Sequence, residues 1–202
     1  MKKKTLISII AVALILCVSV GGALAWLTDK TQEVTNTFTV GNIGLTLTET
    51  DADGNGDANN NNYKMVPGQD IAKDPQVTVA AESEDCWVFI KVTKENDFDK
   101  YLTANLDSKW APLGDAYPGV YYYKDGDNTT APKGTALNIL SRNINYANGF
   151  VTVNTTVTKA DMDALSAEGA QLPKIKFTAY AIQKAGFEAD AAAAWDEVSK
   201  TN

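Results

Sequence analysis

The residues best placed to do chemistry lie in one polar run, Asp51-Ala52-Asp53-Gly54-Asn55-Gly56-Asp57-Ala58-Asn59. Oxygen-bearing side chains stand at the first, third, fifth, seventh and ninth places with glycine at the sixth, matching the start of an EF-hand calcium loop. Asp51, Asp53, Asn55 and Asp57 are the candidate calcium ligands, and Gly56 permits the sharp bend. The twelfth place, where a bidentate glutamate completes such a site, holds Asn62, and no helical pattern flanks the run. A polar hairpin loop, extended by the low-complexity stretch Asn59–Asn62, reads the same residues without any metal. No metal or other cofactor is therefore assigned.

Catalytic alternatives are few. The chain of 202 residues contains no histidine, which removes the commonest general base, the commonest zinc ligand and every histidine-dependent triad. Paired carboxylates remain formally open, but the acidic residues are scattered through polar loops. The expectation is a protein that is not an enzyme. Cys86, in the apolar run Asp85–Ile90, reads as a buried thiol. The alternative is a reactive or intermolecular thiol. Gly119-Val120-Tyr121-Tyr122-Tyr123-Lys124 reads as a strand, with Tyr121 and Tyr123 on one face and Tyr122 with Val120 on the other. If exposed, its rings could stack on sugars or on a second subunit.

The elements around these residues are mostly short strands. Val34–Val40 is β-branched and alternating, and Gly41-Asn42 punctuates it. In Ile43–Thr48, Ile43, Leu45 and Leu47 share one face with threonines opposite, the period of a half-buried strand. Gln76–Ala80, Cys86–Lys94, Val120–Lys124, Phe150–Val157 and Lys174–Gln183 follow in the same manner. Two helices interrupt them. One starts on the capping-box pattern Thr158-Lys159-Ala160-Asp161 and stops at Gly169. The other covers Asp190–Lys200, with Asp190 as cap and an apolar stripe of Ala191, Ala194, Trp195 and Val198. A turn or two of helix could sit within Asn96–Leu106, with Phe98, Tyr101 and Leu102 inward. The predicted fold is mainly β: an antiparallel sandwich, jelly-roll-like or immunoglobulin-like, with two short peripheral helices.

The N-terminus says where the chain goes. Three lysines follow Met1, Leu6–Val20 is apolar, and Ala23 and Ala25 form the small-residue pattern of a signal-peptidase site with Trp26 next. Leu6–Leu27 spans 22 residues, and about 20 apolar residues cross a bilayer, so an uncleaved anchor is the alternative reading. The expected organisation is a signal peptide (1–25), an N-terminal strand or arm (26–42) and a β-sandwich domain (43–202). Cleavage after Ala25 leaves 177 of the 202 residues, with 15 basic and 25 acidic side chains and a formal charge of −10. An acidic domain repels phosphate backbones and anionic lipid, which disfavours nucleic acid as a partner and restricts membrane contact to the signal peptide. Cys86 would then be the sole cysteine, excluding an intrachain disulfide.

Gly21–Asp29, followed by Asn36-Thr37-Phe38-Thr39-Val40-Gly41-Asn42-Ile43, resembles the TasA/camelysin group of exported proteins from Gram-positive bacteria. Met65–Gly68, Asp74–Val79, Cys86–Val92 and Phe177–Gln183 are similar to a clostridial branch of such proteins. The resemblance implies a jelly-roll-like sandwich, export through a SipW-type signal peptidase, and a secreted protein of the extracellular matrix or cell surface. It also implies a homopolymer, a subunit of biofilm-matrix fibres in which the freed N-terminal segment adds as a strand to the next subunit. Here the donor strand would be Val34, Thr35, Asn36, Thr37, Phe38, Thr39 and Val40, within an arm running roughly Trp26–Val40. Camelysin-like relatives are also classed as metallopeptidases; with no histidine and no H-E-x-x-H, that activity does not carry over. The alternative function is a monomeric surface module that binds a glycan or a host partner.

Overall fold

The computed structural model describes residues 41–201, and among them are ten strands and three short helices. In chain order these are β1 (Leu45–Thr48), β2 (Asp70–Ala72), β3 (Gln76–Val79), β4 (Cys86–Glu95), α1 (Phe98–Tyr101), β5 (Leu102–Thr103), β6 (Trp110–Pro112), β7 (Val120–Tyr123), β8 (Ala136–Asn138), β9 (Phe150–Val153), α2 (Lys159–Leu165), β10 (Lys174–Gln183) and α3 (Ala191–Val198). A 3-10 turn, Ser199–Thr201, follows α3. The expected signal peptide, with its cleavage residues Ala23, Ala25 and Trp26, and the expected donor strand Val34–Val40 lie outside the described residues.

The strands form three antiparallel sheets, ordered β1-β3-β8, β10-β4-β7-β6 and β2-β9-β5. The first two face each other. Val77, Val79, Leu137 and Ile139 from one side meet Cys86, Val88, Ile90, Trp110 and Tyr123 from the other in the main apolar cluster. The third sheet, with α1 and α2, encloses a second cluster built on Phe98, Leu102, Leu140, Val151 and Val153. Leu106 and Phe177 touch both clusters, so the second continues the first. The result is a mainly β fold of antiparallel sheets in a sandwich-like arrangement, the class that the strand spacing predicts.

The four-stranded sheet is buried on both faces at one end. Trp87, Phe89, Val120, Tyr122, Tyr180 and Ile182 point away from the main cluster and are covered by α3 through Ala194 and Trp195. Phe89 packs against Trp195 with ring centroids 5.5 Å apart, and Tyr180 against Trp195 at 5.0 Å, tilted and edge-on as ring quadrupoles prefer. Asp190 caps α3 by accepting from the Ala193 N–H at 2.9 Å, and the apolar stripe predicted for this helix is the one that docks. α2 begins on the predicted capping box: Thr158 Oγ1 accepts from Asp161 N at 3.2 Å and Asp161 Oδ2 accepts from Thr158 N at 3.0 Å.

Two glycines let neighbouring strands within a sheet approach at close range. A Cβ at Gly119 would stand 2.6 Å from the Val92 carbonyl oxygen, and one at Gly149 would stand 2.5 Å from that of Lys73. Both have positive φ (76° and 133°), backbone that side chains seldom adopt. Gly149 therefore lets β9 approach the segment after β2, where the Lys73 N–H donates to the Gly149 oxygen at 3.2 Å.

Candidate functional site

The polar run emerges directly from β1 and returns toward β2. Its side chains are spent on its own backbone. Asp51 Oδ1 accepts from Gly54 N and Oδ2 from Gly56 N, both at 2.8 Å. These glycines have φ of 70° and 85°, so the bend assigned to Gly56 is present. Asp53 Oδ1 accepts from Asn55 N at 3.2 Å, while Oδ2 gathers Asn62 N at 2.9 Å, Asn62 Nδ2 at 3.0 Å and Asn55 Nδ2 at 3.1 Å. Asn55 Oδ1 accepts from Asp57 N at 2.7 Å, and Asp57 Oδ1 from Asn59 N at 3.0 Å. Asn61 closes the loop, accepting from Ala52 N at 2.6 Å and donating to the Thr50 and Ala58 carbonyls at 3.0 Å.

These bonds decide what the loop suits as it stands. The Asn62 amides, led by its backbone N–H, hold the Asp53 carboxyl below its ordinary value of 3.8. At the place where a calcium loop needs a bidentate acceptor, Asn62 thus presents donors to Asp53. Among the described residues, no three histidine, cysteine, aspartate or glutamate side chains gather as a metal site would need. The residues of the row are near one another, and in this arrangement they cap the loop's own backbone as a series of Asx turns.

Beneath the loop lies a group that periodicity does not reveal. Glu49, one residue past β1, meets Lys73, one residue past β2. Lys73 Nζ stands 2.8 and 2.9 Å from the two Glu49 oxygens, and Tyr63 Oη donates to Oε1 at 2.6 Å. Burial first, and the Glu49 hydrogen bond second, push the Tyr63 phenol far above its usual range, so it stays a donor. Beside this group, Asp74 accepts from Thr50 N at 3.0 Å and Thr50 Oγ1 at 2.7 Å, pinning the root of the loop. Nothing in the residue spacing marks Glu49, Tyr63 and Lys73 as partners. Two strands of different sheets must end side by side to bring them together.

The remaining candidates are resolved by packing. Cys86 is 1% exposed, and burial raises its thiol above the ordinary range, so the inert reading holds. Tyr121 and Tyr123 face the main cluster while Tyr122 and Val120 face α3, as the alternation predicts. Tyr123 is buried, Tyr121 and Tyr122 half-buried; the run is a strand between two layers. Trp87, Trp110 and Trp195 are core residues.

One feature of the backbone stands out for assembly. Each residue of β10, Lys174 through Gln183, is in register with β4, from Glu95 to Cys86. On its other side β10 has no strand partner among the described residues. A ten-residue edge without a bulge or proline is a template for another strand. No family model matches this chain, and no curated protein or solved structure matches it.

Proposed function

We propose that this chain is a secreted or cell-surface structural protein, a subunit of biofilm-matrix or surface fibres that assembles by N-terminal strand exchange after its signal peptide is removed. The observation that carries the reading is the outer edge of β10, which has no strand partner among the described residues. An unbroken row of backbone donors and acceptors binds an extended segment by strand addition. Head-to-tail repetition of that contact gives an open filament. The sequence supplies a matching segment: in Val34–Val40, Val34, Asn36, Phe38 and Val40 alternate with three threonines. The resemblance of Gly21–Ile43 to the TasA/camelysin group supports the same role, with a SipW-type signal peptidase as the processing partner.

The experiment is direct. Residues 26–202 are purified and followed by light scattering across concentration and by electron microscopy, beside a variant lacking Trp26–Val40. Fibres from the first and monomers from the second are expected. A protein that stays monomeric at high concentration, with or without the segment, removes the fibre reading and leaves the monomeric binding module.

A further inference from the structure

The Glu49–Lys73 pair differs from every other ion pair among the described residues. Its two side chains are 15% and 11% exposed, whereas in each other pair at least one partner is more than half exposed. The Lys73 nitrogen lies 5.1 Å from the centre of the Tyr63 ring and 5.9 Å from that of Phe177. The half-buried Tyr63 and Phe177 rings flank the pair, and withdrawing two charges this far from water is costly to maintain.

The geometry points to a covalent cross-link here: an intramolecular amide between Lys73 Nζ and Glu49 Cδ. A proton passes from the ammonium to the carboxylate, giving a neutral amine beside a neutral acid. The Cγ–Cδ torsion of glutamate is soft, so the carboxyl can turn its face to the nitrogen 2.8–2.9 Å away. The Nζ lone pair forms the new C–N bond, and the carbonyl electrons move onto Oε1. Tyr63 already donates to that oxygen at 2.6 Å and stabilises its developing charge. One Nζ proton transfers to the Oε2 hydroxyl, the carbonyl re-forms, and water leaves. No oxidant, reductant or external reagent is needed.

Water opposes amide formation in solution, but holding the partners in contact supplies an effective concentration of about 10⁵–10⁸ M. The bond would tie the end of β1 to the end of β2, joining two sheets and closing the polar loop into a covalent ring. This inference does not rest on the fibre reading, since a monomer could carry the same bond.

Mass spectrometry tests it on the full chain as purified. The folded wild-type protein is expected to be one water lighter than its sequence. Trypsin is expected to leave Lys73 uncut within a branched peptide that contains Glu49. Lys73→Arg, handled identically, restores the missing water. Tyr63→Phe is expected to slow bond formation by about 10²-fold in a time course after refolding. Full sequence mass in aged wild-type protein, with Lys73 cleaved and Glu49 in a linear peptide, overturns the proposal without reference to any variant. A Tyr63→Phe protein that cross-links at the wild-type rate overturns the role given to Tyr63.

Discussion

Strand β4 and the loop from Asp51 to Asn62 are both dense with hydrogen bonds, yet they are held in opposite ways. β4 gives its backbone to two neighbours, β10 and β7, and its first five residues are all buried. The loop gives its side chains to its own backbone and is largely exposed. The strand takes its conformation from tertiary partners, whereas the loop builds its own from aspartate, asparagine and glycine. A segment of the first kind fails together with the fold. A segment of the second kind can open without disturbing what lies beneath it.

The largest effect should come from the strand. Phe89 is 0% exposed and packs on Trp195. Phe89→Ala is expected to remove about 3–5 kcal/mol of stability in chemical denaturation. A loss under about 1 kcal/mol would mean that α3 does not bury this face in solution. Smaller is the capping box of α2: Thr158→Ala should cost about 1 kcal/mol, read as a lower melting temperature with the sheet signal unchanged.

The loop should answer locally. Asp53→Ala is expected to free the Asn62 amide to exchange with solvent while leaving the melting temperature close to that of the wild type. A cooperative loss of fold would erase the contrast with β4. Acid acts in the same direction. Because the folded Asp53 carboxyl sits below its ordinary 3.8, the stabilisation it lends the loop is present above that value and is lost as pH falls below it. A pH titration followed by NMR should therefore show the Asn62 amide moving below about pH 4, before β4 amides change. Calcium gives the smallest expected response. With the oxygen row turned to its own amides, millimolar calcium should leave the melting temperature unchanged. A rise of several degrees would show that the row can turn to a metal.

Much of this architecture is legible in the sequence, and the exceptions are instructive. β4 and β7 stand out as apolar or aromatic runs and β10 by its alternation, and the caps at Thr158 and Asp190 mark two helices from residue types alone. β2, β5, β6 and β8 have only two or three residues each, too few for a period to register. The predicted strand from Phe150 stops at Val153, and Val157 is buried from a turn instead. The one-turn α1 falls within Asn96–Leu106 and buries Phe98 and Tyr101 as anticipated. The polar loop was visible as a motif, but its partners were not. Whether Asp53 faces a metal or Asn62 depends on backbone turns that residue types alone do not determine. Glu49 and Lys73 meet only because two sheets converge.

Hydrogen exchange across β10 tests the assembly account most directly. In the monomer, the amides of Lys174–Gln183 that face away from β4 have no described strand to protect them. In assembled material from residues 26–202, those amides should become protected, and deleting Trp26–Val40 should return them to exchange. Fibres in which β10 exchanges as fast as in the monomer would contradict strand addition at this edge.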